Sequence, residues 1–331
     1  YDIDESRILP QFLVLLTTTK QFQKYAQSCS SGTTGRQRMD EQKFLNVKVP
    51  LPSLDKQKEI LKEYFTKIEK AKIQEKAILE KTKQIEYIFT NDLAIVTNDK
   101  LQSNLFSTID YNQLNTWSVK DLININSLKS RLYKTTSFDL DNSLYLDLFR
   151  GKSPIYVKDS KSKILNQKCI RWNSIEFEYA KSVDNEWLNK IDKLHLTKPN
   201  DILVNSTGEG TIGRSTLITD TYKNLLYDSH IILVRVDHTK INPLYLTYFI
   251  NSSYGQKEIS QIKSAVATKQ TELGISNLKK MKFILPPLEV QNQIANNISK
   301  LNDEIDFLTC NMNSNRTIAL QEFEMKIFTK S

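Results

Sequence analysis

Cysteine and histidine are scarce in this chain, with three residues of each among 331. The cysteines, at Cys29, Cys169 and Cys310, stand alone and lack the Cys-x-x-Cys spacing of a zinc ribbon. Isolated cysteines favour a reducing cytoplasm over an oxidising compartment. The histidines are also far apart, without the pairing of a metal site. The sequence therefore predicts a cytoplasmic protein without a bound metal.

Long apolar runs are missing too. No stretch approaches the roughly 20 apolar residues that a membrane-spanning helix needs, charged residues make up 25% of the chain and the mean hydropathy is −0.44. The first five residues lack the basic and apolar regions of a signal peptide. We therefore expect a soluble protein without membrane association. Because the chain also begins without methionine, we expect a processed, cut or engineered piece of a protein.

Motifs for catalysis are absent or unconvincing. There is no Walker loop and no acidic cluster with nuclease spacing. Residues 208–213 fit Gly-x-Gly-x-x-Gly, but a dinucleotide site needs a helix after the glycines, and the β-branched residues that follow predict a strand. Residues 242–245, Asn-Pro-Leu-Tyr, resemble the Asn-Pro-Pro-Tyr motif of amino-methyltransferases, although a helix start explains them better. We expect a binding protein rather than an enzyme.

His230 has two interpretations. Beside Asp228 and Ser229 it could belong to a hydrolytic triad, but a position at the start of a strand is favoured. The other two histidines, His195 and His238, have no neighbours that indicate chemistry.

The chain is basic, with a formal net charge of +8 and an isoelectric point of about 9.1. An excess of this size favours a polyanionic partner such as nucleic acid, although a basic protein without such a role stays open.

One pattern occurs twice in the sequence. Pro10 and Pro243 lie 233 positions apart, and Pro52 and Pro286 lie 234 apart, each pair within similar surroundings. Both copies end in Leu-Pro-x-Leu-(Asp/Glu)-x-Gln before a helical segment. A period this long exceeds the 20–50 residues of a solenoid repeat, so it indicates duplication of a domain with its connector.

Two long helices with apolar stripes are predicted after the repeated junctions. The first runs from Leu54 to about Phe89 without internal glycine or proline, and the second covers residues 288–328. Stripes of coiled-coil spacing predict that the two helices pack together as an antiparallel coiled coil, unless each helix covers only its own domain. The residues expected in this packing are Tyr64, Ile68, Ala71, Ile78, Ile85, Ile294, Ile298, Leu301, Ile305 and Leu308.

A globular α+β unit is expected between the two helices, at about residues 114–285. Short β-branched segments between polar turns predict its strands at Ser153–Val157, Cys169–Trp172, Asp201–Asn205, Arg214–Ile218 and Ile231–Val236, and its helices at Leu244–Ile250 and Gly255–Lys263. In the first copy we expect one helix over residues 11–30 and a strand near Val47–Val49.

Basic and amide residues concentrate in the predicted loops, where they could bind DNA. Lysine and arginine neutralise phosphates, and arginine, asparagine and glutamine can hydrogen-bond base edges. The candidate DNA-binding residues are Arg36, Gln37, Arg38, Lys152, Tyr156, Lys158, Lys161, Arg171, Asn173, Ser206, Thr207, Arg214, Thr268, Lys269 and Gln270.

Three segments together with the repeated junctions resemble the specificity subunits of Type I restriction-modification enzymes. They are Phe-Arg-Gly-Lys-Ser-Pro at 149–154, Ile-Arg-Trp-Asn-Ser-Ile at 170–175 and the segment 199–214 around Asn-Ser-Thr-Gly-Glu-Gly. The resemblance implies two target-recognition domains, each reading half of a split DNA site, and helical spacers that dock methyltransferase subunits. It also implies that this subunit has no catalysis of its own and that S-adenosylmethionine, ATP and Mg²⁺ bind to partner subunits. The restriction subunit is a possible further partner.

The resemblance gives a division into four segments with one departure. We expect a remnant of a first recognition domain at 1–52, a helical spacer and linker at 53–113, a complete recognition domain at 114–286 and a second spacer helix at 287–331. Only nine residues precede Pro10, so the first domain is expected to be truncated and to seek its missing segment in self-association or from a partner in trans.

Two alternatives remain at this stage. The chain could be the C-terminal recognition region of a fused restriction-methyltransferase, or a coiled-coil scaffold whose globular units bind protein. The DNA sequence recognised does not follow from residue identities, because readout also depends on loop geometry and DNA shape.

Overall fold

The computed structural model describes residues 3–31, 38–96, 128–265 and 271–328. The α-helices of this part of the chain are α1 (Pro10–Thr18), α2 (Lys20–Ser28), α3 (Glu41–Leu45), α4 (Leu54–Asp92), α5 (Asn185–Asn189), α6 (Pro243–Asn251), α7 (Ser253–Ile262), α8 (Ile275–Lys279) and α9 (Leu288–Phe328).

The strands are short. They are β1 (Ser30–Ser31), β2 (Arg38–Met39), β3 (Lys134–Thr136), β4 (Tyr145–Arg150), β5 (Lys163–Leu165), β6 (Lys181–Ser182), β7 (Ile202–Asn205), β8 (Ser215–Leu217), β9 (Leu226–Tyr227), β10 (Ile231–Val236), β11 (Ser264–Ala265), β12 (Thr271–Glu272) and β13 (Phe283–Leu285). In the described residues they form sheets of order β1-β2, β4-β10-β7-β8, β6-β5-β9, β11-β12 and β13-β3. The mixture confirms the predicted α+β class.

The chain divides into two compact units. The helical unit comprises Tyr1–Thr82 and Asn302–Ser331, and the sheet unit comprises Lys83–Leu301. The long helices α4 and α9 each contribute residues to both units. The division into four segments expected from the sequence stays a prediction.

The four-stranded sheet is the centre of the sheet unit. Ile202 and Val204 of β7 lie in the core formed with α4, α6 and α9, whereas Leu203 lies in a second core on the opposite face. Both faces are therefore covered, and β7 and β10 are buried along their whole length. This explains why these strands appear in the sequence as continuous apolar runs rather than as an alternating pattern.

The repeat is present in the structure, element by element. In the helical unit α1, α2, β1, β2 and α3 follow one another as α6, α7, β11, β12 and α8 do in the sheet unit. Thr19 ends α1 and caps α2 by accepting a hydrogen bond from the Phe22 N–H, as Ser252 caps α7 by accepting one from the Gly255 N–H. The single helix expected over residues 11–30 is therefore two helices, because Thr19 takes an extended backbone conformation between them.

A buried glutamine forms the same three hydrogen bonds in each copy. Gln57 Nε2 donates to the carbonyls of Arg7 (2.9 Å) and Pro52 (2.8 Å), and its Oε1 accepts from the Leu9 N–H (2.8 Å). The side chain is 0% exposed. These bonds tie the start of α1 to the junction before α4.

Gln291 repeats this arrangement in the sheet unit. Its Nε2 donates to the carbonyls of Lys240 (3.0 Å) and Pro286 (2.8 Å), and its Oε1 accepts from the Asn242 N–H (2.9 Å). It is also 0% exposed. The glutamine of the repeated Leu-Pro-x-Leu-(Asp/Glu)-x-Gln junction is thus a structural clamp, which we call the junction glutamine.

The two copies differ in what covers their first helix. In the sheet unit, Ser215 of β8 donates from its hydroxyl to the carbonyl of Thr247 on α6 (3.2 Å), and Thr247 is only 1% exposed. The equivalent residue of α1 is Val14, which is 63% exposed. Among the described residues of the helical unit, no strand corresponds to β8.

The helices α4 and α9 pack antiparallel within the helical unit. Lys67 contacts Glu322 (2.7 Å), and seven residues further along α4 Gln74 bonds with Asn315 (3.0 Å), which lies seven residues back along α9. Lys81 is also paired with Glu304. The expected antiparallel pairing is confirmed, and polar pairs lie within it beside the apolar residues.

The apolar packing residues predicted from the spacing are buried or half-buried. Those of the helical unit are Tyr64, Ile68, Ala71, Ile78, Ile305 and Leu308, with Ala71 completely buried. In the sheet unit Ile294 and Ile298 belong to the main core, Ile85 is half-buried against it, and Leu301 is half-buried.

Several predicted strands have different outcomes. Those near 201–205, 214–218 and 231–236 are confirmed as β7, β8 and β10, and the helices expected near 244–250 and 255–263 are confirmed as α6 and α7. The strands at Ser153–Val157 and Cys169–Trp172 are wrong, because only isolated bridges form there, Tyr156 with Val183 and Ile170 with Ile175. Strand β4 is not among the strands predicted from the sequence.

Local chemistry explains these errors. Pro154 has no N–H to donate to a ladder, and Asn173 has φ +62°, which turns the chain back so that Ile170 meets Ile175. The strand expected at Val47–Val49 is also absent. In the sheet unit the corresponding strand β13 pairs with β3, whereas no described segment of the helical unit pairs with Val47–Val49.

None of the helices that the structure describes has both the length and the apolar character needed to cross a membrane.

Candidate nucleic-acid interface

Four chain segments meet at one end of the four-stranded sheet. Strand β4 ends at Arg150 and β7 ends at Asn205, while β8 begins at Ser215 and β10 begins at Ile231. The register places Ile231 opposite Asn205 and Ile232 opposite Arg150. The loops at 151–162, 206–214 and 228–230 therefore emerge side by side at what we call the loop end of the sheet.

A hydrogen-bonded cluster occupies one side of the loop end. Tyr156 donates its hydroxyl to Asp228 Oδ2 (3.2 Å), and the other oxygen of Asp228 accepts from the His230 N–H (3.0 Å). The His230 ring in turn contacts Thr207, with 2.8 Å between Nδ1 and Oγ1. The cluster joins three separate segments, and it brings together Tyr156 and Thr207, which the sequence proposed for DNA binding.

Burial governs the ionisation of this cluster. Desolvation raises the pKa of Asp228, which is only 2% exposed, against the opposing effect of the His230 N–H. Burial, together with the Asp228 carboxylate, raises the pKa of Tyr156 to about 12. The Tyr156 hydroxyl is therefore a neutral hydrogen-bond donor at physiological pH.

Gly151 allows the loop after β4 to lie against the backbone before β10. A Cβ atom at this position would stand 2.0 Å from the carbonyl oxygen of Asp228. Only glycine fits such an approach. Lys152 follows directly and is exposed, beside the cluster of Tyr156 and Asp228.

A second cluster lies on the other side of the loop end. The Arg214 guanidinium carbon stands 5.6 Å from the ring centre of Trp172, which is 45% exposed. The neighbouring Asn173 accepts from Asn251 Nδ2 (2.5 Å), and its N–H donates to the carbonyl of Ser215 (3.1 Å). An arginine stacked on an exposed indole and a held amide are groups that can contact a phosphate or a base edge.

Arg171 is already ion-paired with a residue of the same chain, Glu176. Its Nε donates to Glu176 Oε2 (2.8 Å), and its guanidinium carbon lies 5.2 Å from the ring centre of Tyr179. The hydrogen bond to Glu176 raises the pKa of Arg171. Arg171 remains a candidate DNA contact, but part of its charge is already balanced.

The glycine loop connects the two clusters. Gly208, Gly210 and Gly213 all have positive φ, and the chain continues into strand β8 rather than into a helix. A pyrophosphate needs a helix N-terminus at this point, so the dinucleotide interpretation is excluded. The loop instead carries Thr207 at its start and Arg214 at its end.

The hairpin β11–β12 lies next to the same loop. Leu273, after β12, donates its N–H to the carbonyl of Ser206 (2.8 Å), and Glu272 is paired with Arg150. Residues 266–270, which include the predicted contacts Thr268, Lys269 and Gln270, lie outside the described residues. Their role in DNA binding stays a prediction.

The remaining predicted residues have diverse positions. Lys158 and Lys161 are exposed on the loop after β4, and Arg38 is exposed on β2 in the helical unit. Ser206 is 0% exposed, so its side chain is not placed to contact DNA directly. Arg36 and Gln37 lie outside the described residues.

Sequence reasoning missed His230 and Gln167 as members of the loop end. His230 is exposed, and Gln167 Oε1 accepts from the Thr207 hydroxyl (3.2 Å). The position of His230 directly before β10 is visible in the sequence. Its contact with Thr207 is not, because the two residues meet only when β7 and β10 pair.

The two catalytic interpretations fail on geometry. Asp228 bonds the backbone N–H of His230 rather than its ring, so the three groups do not form a hydrolytic triad. Asn242 caps α6 by accepting from the Tyr245 N–H (3.0 Å), and Tyr245 is 0% exposed, so it is not available to stack on a flipped base.

No group of three or more acidic, histidine or cysteine side chains in the described residues is arranged to hold a metal ion. The opposite end of the sheet carries a buried ion network, in which Arg235 bonds Asp201 (2.8 and 2.7 Å) and Asp147 (2.7 Å). This network joins β4, β7 and β10, and its charges satisfy one another.

Comparison with known proteins supports the resemblance predicted from the motifs. Residues 153–314 match the family model of the Type I restriction modification DNA specificity domain. This range contains the glycine loop and most of the loop end, whereas strand β4, Gly151 and Lys152 lie before it. Residues 153–314 thus carry a Type I restriction modification DNA specificity domain, and the resemblance predicted from the motifs is confirmed at this level.

Individual relatives agree. Over 107 residues the chain is 33% identical to a protein described as the type I restriction enzyme MjaX specificity subunit of Methanocaldococcus jannaschii. The match covers 30% of this chain and a quarter (25%) of the length of that protein.

Solved structures show the same fold. The S subunit of a Type I restriction-modification system from M. genitalium matches with a TM-score of 0.52 at 12% identity, covering 99% of this chain and 75% of that one. A chain from a structure on complex assembly of the type I R-M system matches with a TM-score of 0.53 at 13% identity, covering 97% and 72%.

Proposed function

We propose that this protein is the sequence-specific DNA recognition subunit of a Type I restriction-modification system. The sheet unit reads one part of a bipartite DNA site, with duplex DNA bound at the loop end of the sheet. The paired helices α4 and α9 dock methyltransferase subunits, and the restriction subunit joins the same assembly.

The observation that carries this proposal is the convergence at the loop end. Four strand ends bring together exposed Lys152, Tyr156 and His230 with the stacked Arg214 and the exposed Asn173. Cations provide sequence-independent attraction to phosphates, and amides, imidazoles and hydroxyls provide hydrogen bonds for base edges. At the opposite end of the sheet, the buried Arg235 is balanced by Asp201 and Asp147.

The cofactors follow from the same proposal. S-adenosylmethionine, ATP and Mg²⁺ belong to the partner subunits, and this chain contributes recognition only.

The first experiment measures DNA binding at several salt concentrations. The purified chain is titrated with a fluorescent duplex of mixed sequence, about four helical turns long, and the logarithm of affinity is plotted against the logarithm of salt. Each neutralised phosphate contributes about −0.9 to the slope, so Lys152→Ala and Arg214→Ala should each lower affinity and make the slope less steep. An affinity that does not change with salt would contradict DNA binding and favour a protein-binding scaffold.

Lys223 provides a matched control. It is exposed and follows β8 at the end of the sheet away from the loop end. Lys223→Ala removes the same charge and should leave affinity and slope within error of the wild type. A second experiment, mapping of methylated sites in cells that carry the chain with its methyltransferase partner, identifies the DNA sequence and tests docking together.

A further inference from the structure

We infer that His230 is a specificity-determining residue, which reads an amino-bearing base, adenine or cytosine, through its Nε2 atom in the major groove. This inference rests on the proposed DNA recognition at the loop end and adds to it a residue and a base class. His230 is not among the DNA contacts expected from the sequence.

The first argument is that a hydrogen-bonded chain fixes the state of the ring. The Thr207 hydroxyl has one proton, which it donates to Gln167 Oε1 at 3.2 Å. With the hydroxyl proton assigned to Gln167, Thr207 Oγ1 accepts from His230, 2.8 Å away, and this assignment places the His230 proton on Nδ1. In the neutral ring Nε2 is therefore a bare acceptor.

The second argument is that the backbone of His230 is held on both sides. Its N–H donates to Asp228 Oδ1 (3.0 Å), and its carbonyl accepts from the Ser206 N–H (2.8 Å). The preceding carbonyl of Ser229 accepts from Arg150 Nε (2.7 Å). A side chain on such a support is preorganised for one contact geometry, and the contact costs little ordering entropy.

The third argument is chemical complementarity. The major groove offers amino donors only at adenine N6 and cytosine N4, whereas guanine and thymine present acceptors at the equivalent positions. An acceptor at Nε2 therefore matches adenine or cytosine and leaves guanine and thymine unpaired. Thr207 and Gln167 act as positioning residues, because they hold the ring without contacting the base.

The test is a selection from duplexes with a randomised central segment, using the full chain and sequencing the bound fraction. Since every base pair carries one amino group in the major groove, the acceptor determines which strand holds the adenine or cytosine, and the wild type should strongly prefer one orientation of at least one base pair. His230→Ala should lower that preference roughly five- to tenfold, the value of one base hydrogen bond, with other positions unchanged. Its affinity for mixed-sequence DNA and its salt slope should stay those of the wild type.

Matched variants separate reading from positioning. Thr207→Val removes the hydroxyl and should weaken the same preference, while Thr207→Ser retains the hydroxyl and should restore it. His238→Ala is the control, because His238 is an exposed histidine just beyond the other end of β10. It should leave the profile unchanged.

The outcomes are distinguishable. A selective wild type with an unchanged His230→Ala profile overturns the assignment of His230 and leaves the proposed function standing. A uniform loss of affinity with a shallower salt slope also overturns it, since His230 would then contact a phosphate. A wild type that binds all sequences equally overturns the proposed recognition function and this assignment with it.

Discussion

The junction glutamine should be one of the most sensitive positions in the chain. Gln291→Leu keeps most of the side-chain volume and removes both the donor and the acceptor. The variant then leaves the Asn242 N–H and the carbonyls of Lys240 and Pro286 without their partner in a site that is 0% exposed at residue 291. Glutamate cannot replace Gln291 either, because its carboxylate has no N–H groups to donate to the carbonyls of Lys240 and Pro286.

The magnitude follows from the three bonds. Each buried hydrogen bond contributes about 1 kcal/mol net, so Gln291→Leu should lower the free energy of unfolding by about 3 kcal/mol, roughly 150-fold in the equilibrium constant. Gln57→Leu breaks the equivalent bonds and should cost a similar amount in the helical unit.

Unfolding in urea is monitored by amide hydrogen exchange at individual residues, because a chain of two units need not unfold in one step. Exchange at the Asn242 N–H should accelerate in Gln291→Leu, and exchange at the Leu9 N–H should accelerate in Gln57→Leu. Gln293→Leu is the control, since Gln293 is exposed two residues along the same helix. A Gln291→Leu variant within about 0.5 kcal/mol of this control would refute the reasoning.

Three further predictions concern other sites. Gly151→Ala should lower the free energy of unfolding by about 3 kcal/mol because its Cβ would meet a backbone carbonyl at 2.0 Å, whereas Gly274→Ala, with nothing within 4 Å, should stay within about 0.5 kcal/mol in the same urea titration. Lys67→Glu should lower the free energy of unfolding by about 1 kcal/mol, because it places a second carboxylate beside Glu322. Adding Glu322→Lys to this variant should recover the loss, and a double variant no more stable than the single one would contradict the pairing. Burial raises the pKa of Asp228, so its contribution to stability is present below about pH 4 and is lost as the pH rises through the folded-state pKa. Asp228→Asn should therefore show a smaller fall in the free energy of unfolding above about pH 4 than the wild type. Equal pH profiles of the two proteins would refute this.

Much of the fold can be predicted because its signals are local or repeated. The stripes of α4 and α9, the proline at the start of α6 and the runs of β7 and β10 each depend on a few neighbouring residues. The repeat adds long-range information, since it places Gln57 and Gln291 at equivalent positions of the two copies. The bonds of these glutamines do not follow from the sequence, because their partners include backbone groups about 50 positions away.

The candidate site is predictable only in part. Lys152, Tyr156 and Thr207 follow from composition and motif, and the structure brings Tyr156 and Thr207 into one cluster. The cluster as a whole depends on the pairing of β10 with β4 and β7, which no local pattern encodes. Ser206 shows the converse error, because its side chain is buried in the same loop.

The polar pairs between α4 and α9 leave only one alignment of the two helices in which these partners are satisfied. If α9 slipped by one heptad, Glu322 would face the buried Ile60, and Gln74 would face Leu308 instead of Asn315. An all-apolar seam would accept such a slip at small cost, whereas a carboxylate placed against isoleucine would not. The polar pairs therefore fix the register of the two helices to a single residue, although they weaken the packing between the helices slightly.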